Sequence, residues 1–367
     1  MCVAPAGQTI FSFTFLALHV TRLFSSTLPH PSLENAESGT PHTSDQSYHT
    51  RSQSQTITFF RILINHSKMG NCMATASPPK ILVLGASGYV GKATLASLVE
   101  RHGSKLEISA GVRDPSKFSK MDGVNVVEAD MGKPEELTRL LQNFDRVFIV
   151  TPGHEERTKL ALNALQAAKD ASIDFALFLS VPTVETDTIF GKQFKPIEQA
   201  VKNSGLRGFA VVRLPLFIDN NYANVQSIKE SATFYDARNA YKPHTPVAVA
   251  DVGKASADIL ARPKKHIGKT YTLVMPPFNL IDLSKAFSKE IGKQVFVTTV
   301  TYEKAKEVFM GMGFPEWQVD GMMELYRSID EGKPGTLSKD LGDIQRITGE
   351  PATTMEQWVA QNAAAFK

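Results

Sequence analysis

Residues 80–103 read KILVLGASGYVGKATLASLVERHG, an apolar run followed by a glycine-rich turn and a longer stretch of mixed polarity. The apolar run KILVL predicts a buried strand, and the apolar residues from Val90 onward recur at the spacing of one helix face. The turn between them places Gly85, Gly88 and Gly91 in the pattern G-x-x-G-x-x-G. A strand, a glycine turn and a helix in this order predict the first βα unit of a dinucleotide-binding fold.

The glycine turn is predicted to bind a pyrophosphate. Residues without a β-carbon permit a tight turn and let the backbone come close to phosphate oxygens. The following helix directs its unpaired N–H groups and the positive end of its dipole toward the same point. A turn that binds no ligand would also contain glycines, but the flanking strand and helix favour a phosphate site. The predicted contacts are the residues of the turn, Gly85, Ala86, Ser87, Gly88, Tyr89, Val90 and Gly91.

Short apolar runs continue to alternate with helical segments along the chain after residue 103. Such runs between helices are typical of a parallel sheet that is covered on both faces. We therefore predict an α/β fold with a Rossmann-type doubly wound parallel sheet. Further strands are predicted at 108–112, 124–128, 146–150, 175–179 and 209–213, with helices around 134–141, 155–171 and 196–204.

The residues that follow the second predicted strand indicate which dinucleotide binds. The sequence there is AGVRDPSKF, with Arg113 first and Lys117 soon after it. A guanidinium fork matches a 2′-phosphate, and a nearby ammonium adds positive charge, so this pattern favours NADP. Asp114 is the alternative reader, because a carboxylate here can accept hydrogen bonds from the free ribose hydroxyl of NAD.

Residues at the ends of the next two strands are further candidates for cofactor binding. Asp130 follows the third strand, where an acid can meet the adenine amino group. Thr151 and Pro152 follow the fourth strand, next to the expected path of the nicotinamide ribose. Because loops after strands often contain such residues for turn formation alone, each of these candidates has a purely structural alternative.

The composition excludes several classes of protein. The 367 residues carry a formal net charge of +3 without a dense basic run, so no nucleic-acid partner is predicted. The two cysteines are Cys2 and Cys72, which excludes a disulfide framework, a cysteine-ligated zinc site and a cysteine nucleophile from the predicted fold. No metal site is predicted. The apolar stretch Ile10–Val20 is too short to cross a bilayer, so no membrane span is predicted either.

The first 79 residues differ in composition from the rest of the chain. They are rich in Ser, Thr, His and Gln and show no sustained apolar periodicity. A segment of this kind cannot bury enough apolar surface to offset its ordering entropy, so residues 1–79 are predicted to be a disordered leader. The predicted location is the cytoplasm, with organelle targeting by the leader as the alternative.

From Lys80 to the C-terminus the sequence resembles the NmrA-like branch of the atypical short-chain dehydrogenase/reductase superfamily. The resemblance rests on LGASGYVG, VRDPSK, NSGLRGFAVVRLPLFIDNNYAN, VAVADVGKASADIL and ITGEPATTMEQWVAQNAAAF. It implies an NAD(P)-binding Rossmann domain at 80–266, with an excursion near 215–246 to a smaller domain. It also implies that residues 267–367 form this C-terminal α/β domain and that a small-molecule substrate lies in the cleft between the two. A homodimer or a regulatory protein partner is a further expectation.

The resemblance also identifies candidate catalytic residues. Active short-chain dehydrogenases have a serine at the end of the fifth strand, here Ser180, and a Tyr-x-x-x-Lys motif whose lysine corresponds to Lys195. The tyrosine position is occupied by Gly191, and the sequence contains no tyrosine between Tyr89 and Tyr222. Lys195 keeps a role in holding the nicotinamide ribose, but the usual proton donor is missing.

Two functions are compatible with these residues. The chain is similar to relatives of NAD(P)H:quinone oxidoreductases, which implies an NADPH-dependent reductase acting on a quinone-like or other electrophilic small molecule. The alternative is a non-catalytic NADP(H) sensor that regulates a protein partner.

Overall fold

The structure is a computed structural model and describes residues 77–367. Residues 78–367 belong to one compact unit. The predicted disordered leader at 1–79 lies outside the described residues, apart from its last three. Within the described part, every helix is too short or too polar to cross a bilayer. The same part contains no group of three or more His, Cys, Asp or Glu side chains arranged to hold a metal ion.

A parallel sheet of seven strands forms the centre of the molecule, in the order β3-β2-β1-β4-β5-β6-β8. The remaining two strands, β7 and β9, pair in parallel with each other in a separate ribbon. The predicted α/β fold class is confirmed, and the predicted strands agree with the observed ones to within one residue at each end. The strands are β1 (Lys80–Leu84), β2 (Glu107–Val112), β3 (Val124–Glu128), β4 (Arg146–Ile149), β5 (Phe175–Ser180), β6 (Phe209–Arg213), β7 (Thr233–Asp236), β8 (Lys269–Thr272) and β9 (Phe296–Thr299).

Helices cover both faces of the sheet, as its apolar strands require. One hydrophobic cluster joins α1, α6 and α10 to one face, and a second joins α2, α3 and α4 to the other. The helices are α1 (Tyr89–His102), α2 (Pro134–Leu141), α3 (Arg157–Asp170), α4 (Ile189–Lys202), α5 (Val225–Ser231), α6 (Val249–Ala261), α7 (Leu280–Ile291), α8 (Tyr302–Gly311), α9 (Glu316–Asp330), α10 (Asp343–Thr348) and α11 (Met355–Asn362).

Helices α1 and α6 pack unusually close together. A β-carbon added at Gly253 in α6 would lie 2.5 Å from the carbonyl oxygen of Ala93 in α1. Only glycine fits this contact, because a real β-carbon does not approach an oxygen atom so closely. The C-terminal end of α1 is also attached to α6, since Arg101 and His102 both contact the buried carboxylate of Asp258.

Two further hydrophobic clusters lie away from the sheet. One is built around Phe234, Phe287, Trp358 and Phe366, and the other around α9. The chain after the predicted boundary at residue 266 nevertheless contributes β8 to the main sheet and α10 to one of its faces. The boundary between two domains at residue 266 stays a prediction. The structure adds that segments after this boundary return to the main sheet.

Two local predictions differ from the structure. Helix α4 begins at Ile189, where the Thr188 hydroxyl accepts a hydrogen bond from the N–H of Gly191, and not near Pro196. A proline usually marks a first turn, because it lacks the N–H that a helix interior needs, but α4 continues through Pro196. Lys195 thus lies inside the helix. The sequence TPVAVADVGKASADILARP predicts a strand followed by a helix, but before α6 the structure has only a single bridge between Val247 and Phe217.

Candidate dinucleotide site

The strand order creates a crevice between β1 and β4. From β1 the chain passes outward to β2 on one side, while β4 pairs with β1 on the other side. At such a reversal the connections leave the strand ends in opposite directions, so a space opens at the carboxyl edge of the sheet. The glycine turn follows β1, and residues 151–156 follow β4. The structure therefore brings the predicted phosphate turn and the predicted nicotinamide loop to the same crevice.

The three glycine positions of the turn differ in whether a β-carbon would fit there. Gly85 has a φ of +70°, and a β-carbon there would lie 2.2 Å from the carbonyl oxygen of Val150. A β-carbon at Gly91 would lie 2.4 Å from the carbonyl oxygen of Gly85. At Gly88, however, the nearest atom to an added β-carbon would be 3.5 Å away. The fold itself thus requires the first and third glycines, whereas the position of the second has room for a β-carbon.

The first turn of α1 is prepared for an anion. Gly88 is the N-cap residue of α1 and offers no side chain to the free N–H groups of that turn. No acidic residue lies in the first turn either, so the positive end of the helix dipole is not neutralised there. Backbone N–H groups in this arrangement, at the crevice of a doubly wound sheet, fit the pyrophosphate of a dinucleotide.

The other turn residues occupy different environments. The N–H of Ala86 donates to the carbonyl oxygen of Gly111 at 3.3 Å and so attaches the turn to β2. Ser87 is exposed, while Val90 is buried in the cluster beneath α1. Tyr89 is half-buried, and burial raises the pKa of its hydroxyl to about 12, with a smaller effect from the Asp219 carboxylate. The turn therefore presents backbone groups, together with the Ser87 side chain, to the crevice.

After β2, Asp114 and Lys117 form an ion pair with each other, whereas Arg113 has no ionic partner among the described residues. Arg113 is exposed and pairs with no carboxylate among the described residues. Asp114 accepts hydrogen bonds from the N–H and the hydroxyl of Ser116 at 3.1 and 2.6 Å, and Lys117 pairs with it at 3.0 Å. These contacts, those of Ser116 above all, lower the pKa of the Asp114 carboxyl. The Asp114 carboxylate is thus bonded to residues of its own turn, whereas the Arg113 guanidinium can bind a ligand.

Asp130 follows β3 at the outer edge of the sheet, whereas Thr151 follows β4 at the crevice. Asp130 is half-buried, and one of its carboxylate oxygens accepts the N–H of Gly132 at 2.8 Å. The Thr151 hydroxyl oxygen is buried without a hydrogen-bond partner among the described residues. A buried hydroxyl without a partner is costly, so it indicates a place where a ligand or water completes the bonding. Pro152 contributes its carbonyl oxygen to Arg157 at 3.0 Å.

The two candidate catalytic residues, Ser180 and Lys195, lie beside different carboxylates. Ser180 is buried beside Glu198, whose carboxylate binds Arg213 through two hydrogen bonds of 2.8 Å. Burial raises the pKa of Glu198, but its hydrogen bonds, with that from Arg213 foremost, outweigh burial and leave the pKa below its usual range. Lys195 is exposed and pairs with Glu185 at 3.2 Å. No hydrogen bond joins Ser180 to Lys195 in the described part of the chain.

The missing tyrosine has a steric explanation. A β-carbon at Gly191 would lie 2.3 Å from the carbonyl oxygen of Thr186 and 2.8 Å from that of Thr183. Both are backbone atoms, so no larger side chain fits at residue 191 unless the loop between β5 and α4 moves. The backbone thus excludes a larger side chain at residue 191, where the resemblance places the tyrosine of the short-chain dehydrogenases.

Comparisons with known proteins identify the family of the chain. The sequence matches the NmrA-like family over residues 78–361. The chain belongs to the NmrA-like family. It is 28% identical over 291 residues to the NAD(P)H azoreductase of Xenophilus azovorans, a match that covers 78% of this chain and 99% of that protein.

Solved structures have the same fold as this NmrA-like protein. The NADPH-dependent quinone oxidoreductase of Escherichia coli, solved with NADPH, has a TM-score of 0.67 at 23% identity, over 77% of this chain and 98% of that one. The negative transcriptional regulator NmrA, solved with NAD, has a TM-score of 0.62 at 15% identity, over 77% and 95% of the two chains. The proteins similar in sequence thus include an azoreductase, and proteins of this fold include both a quinone oxidoreductase and a regulator.

Sequence reasoning missed one feature of the loop after β4. Arg157 follows in HEERTK, a run that has the composition of an exposed helix start. In the structure this arginine is only 8% exposed. The contacts that bury it come from α4 and α9, which are distant in sequence, so no local pattern could have shown its burial.

Proposed function

We propose that this NmrA-like protein is an NADPH-dependent reductase that transfers hydride to a quinone-like or other electrophilic small molecule. The observation that carries the proposal is the room for a β-carbon at Gly88, above the uncapped first turn of α1 and at the crevice of the sheet. The packing gives no steric reason for a glycine there, and a pyrophosphate close to the backbone would. The azoreductase relative supports reductase chemistry.

NADP is proposed over NAD because of the residues after β2. Arg113 leaves that strand two residues beyond Gly111, whose carbonyl oxygen holds the glycine turn at Ala86. Its guanidinium is therefore near the ribose of a dinucleotide bound at the turn and can bind a 2′-phosphate through charge-assisted hydrogen bonds. Asp114, the competing reader of a free ribose hydroxyl, is already bonded to Ser116 and Lys117.

The acceptor class follows from the proton donor that the site lacks. Bound NADPH would supply the hydride. An ordinary ketone becomes a strongly basic alkoxide on hydride addition and needs a positioned acid. A quinone becomes a delocalised hydroquinone anion that can take its proton from water. Because Gly191 stands where the acid would be, we infer that quinones and similar acceptors are reduced and simple ketones are not.

The side chains around the crevice would position the reactants. The Lys195 ammonium is assigned to the nicotinamide ribose, since an exposed ion pair such as that with Glu185 is weak and a ligand can replace it. Thr151 is assigned to the acceptor oxygen, because its buried hydroxyl has bonding capacity left over among the described residues. Ser180 is the alternative for that role, because its buried hydroxyl oxygen also has no hydrogen-bond partner among the described residues, although the carboxylate of Glu198 lies beside it.

A second candidate function is a non-catalytic NADP(H) sensor. It is favoured by the glycine at residue 191, where a reductase would have a proton donor, and by the ion pair that Lys195 makes with Glu185. In this case the cofactor would bind through the same turn and Arg113, and a protein partner would respond to its presence.

Steady-state oxidation of NADPH by the full chain distinguishes the two. With 1,4-naphthoquinone we expect turnover, and with cyclohexanone none. Lys195→Met should lower kcat/KM for the quinone about tenfold or more, the loss of one charge-assisted hydrogen bond. Lys192→Met is the matched control, because Lys192 is an exposed lysine of the same helix that pairs with Asp187 at 3.2 Å. Rapid ketone reduction would refute the proposal, and tight NADPH binding without turnover of any acceptor would favour the sensor.

A further inference from the structure

Arg157 is a buried cation without a carboxylate partner among the described residues. It is the first residue of α3, and its Nε donates to the carbonyl oxygen of Pro152 at 3.0 Å. Its Nη1 donates to the side-chain oxygen of Gln193 at 2.6 Å. Both acceptors are neutral, so the positive charge of the guanidinium is solvated but not balanced.

The other buried arginine among the described residues, Arg238, has a carboxylate partner. Arg238 is 7% exposed and pairs with Asp236 at 2.7 Å. Burial alone lowers the pKa of Arg157 to about 10, which still leaves it charged at neutral pH. A buried charge without a counter-ion is costly to the folded state, and such groups occur at functional sites more often than elsewhere. Its cost is removed if an anion binds beside it.

An unfilled bonding position lies next to this guanidinium. A β-carbon at Gly153 would be 3.6 Å from Nη2 of Arg157 and 3.7 Å from both amide atoms of Gln318. Nη2 makes no hydrogen bond within residues 77–367. Gln318 is 1% exposed, and its side-chain oxygen has no partner in the same part of the chain. Because side-chain amides are assigned from their hydrogen bonds, either end of this amide can face the Gly153 position.

Aromatic rings surround the same point. The guanidinium carbon of Arg157 lies 4.8 Å from the ring centre of Phe194, 5.8 Å from that of Phe190 and 5.9 Å from that of Trp317. Phe194 is buried, whereas Phe190 and Trp317 are half-buried and meet edge to face at 6.5 Å. They leave part of their surfaces for another ring. The site therefore combines hydrogen-bond donors and positive charge with aromatic surface, at the mouth of β4.

We propose that Arg157 and Gln318 bind an anionic substituent, a sulfonate or carboxylate, of an aromatic acceptor that packs on Phe190 and Trp317. Nη2 donates to one oxygen of the anion, and the Gln318 amide donates to another. The inference rests on the proposed reductase function for its choice of acceptor, and it specifies which acceptors are preferred. A cationic aromatic compound of the same size would be repelled by the guanidinium.

Binding of a matched pair of probes tests the inference without turnover. We would titrate 2-naphthalenesulfonate and 2-naphthalenesulfonamide, which differ in charge but little in size, into the full chain with NADP⁺ by calorimetry. The sulfonate should bind about tenfold or more tightly, the factor that corresponds to one charge-assisted hydrogen bond. Lys159→Gln is the control for net charge, because Lys159 lies on the same helix and is exposed in an ion pair with Glu156.

Two variants should abolish the preference for the sulfonate. Arg157→Gln removes the charge. Gln318→Glu keeps the size of the side chain and places a carboxylate at the Gly153 position that Nη2 also contacts. It should therefore fold even if the first variant does not, and it should occupy the site itself. The preference should persist in Lys159→Gln.

Equal affinity of the wild-type chain for both probes would overturn the inference, as would a preference that survives Gln318→Glu. Turnover of neutral 1,4-naphthoquinone is measured separately. Turnover with no sulfonate preference would reject the anion site alone. Sulfonate binding that is lost in Gln318→Glu, with no quinone turnover, would reject the reductase and keep the site.

Discussion

Replacing Gly88 by alanine should separate cofactor binding from folding. The backbone of Gly88 has φ −79° and ψ 170°, an extended conformation that any residue adopts. The nearest atom to an added β-carbon is 3.5 Å away, which is an ordinary van der Waals contact. Alanine is a poorer N-cap than glycine by about 1 kcal/mol or less. The Gly88→Ala chain should therefore fold with a melting temperature close to that of the wild type.

The effect on NADPH should be much larger. The new methyl group would occupy the space above the first turn of α1, where the pyrophosphate is proposed to meet backbone N–H groups. Loss of a single charge-assisted hydrogen bond costs about 1.5–3 kcal/mol. This corresponds to roughly a 10- to 150-fold increase in the dissociation constant. Calorimetric titration with NADPH, beside a thermal melt of the free protein, measures both quantities on one sample.

Gly91→Ala provides the contrast. Its β-carbon would lie 2.4 Å from the carbonyl oxygen of Gly85 and 2.7 Å from the α-carbon of Ala86, both of which are backbone atoms. This variant should lose stability before any ligand is added. Wild-type NADPH affinity in Gly88→Ala would refute the assignment of the turn as the phosphate site, and a collapse of its melting temperature would refute the steric argument.

Further predictions concern the cofactor, the leader and pH. Arg113→Ala should weaken NADPH binding by about 1.5–3 kcal/mol and leave NADH nearly unchanged; equal losses in parallel titrations would contradict NADP recognition. A chain that begins at Met69 should melt and bind NADPH like the full chain, and a clearly lower melting temperature would show that the leader packs on the fold. Hydrogen bonds from Arg101 and Lys254 lower the pKa of Glu350 to about 2. Its contribution to stability is therefore present above the unfolded pKa of about 4.3 and lost as the pH falls toward 2, so Glu350→Gln should destabilise the protein at pH 7 but not at pH 2 in thermal melts.

The sequence was most informative where structure is determined locally. The unit from β1 to α1 was predicted with its turn because apolar spacing and glycine positions act over a few residues. The start of α4 was not predicted correctly. The helix begins at the N-cap Thr188 and continues through Pro196, whereas a proline usually marks the first turn of a helix. The pairing of β8 with β6 was also missed, since it joins segments that are far apart in the chain.

The same limit applies to the candidate site. The sequence identified Arg113 and Asp114 as competing readers of the ribose, but only the structure shows that Asp114 is bonded to its own turn. The burial of Arg157 depends on residues of α4 and α9 that the sequence does not place beside it. Local chemistry is thus visible in sequence, whereas the availability of a charge depends on the partners that tertiary structure supplies.

The contact between Gly253 and Ala93 gives α1 little freedom to shift sideways. Ala93 is five residues from Gly88, which is about 7 Å along the helix axis. A bulkier residue at position 253 would push the middle of α1 away from α6, while Arg101 and His102 keep its far end attached to Asp258. The helix would then tilt about its C-terminal end, and its first turn would shift against the glycine turn on which Gly91 packs. A substitution in α6, remote from any ligand, would in this way misalign the N–H groups that face the crevice.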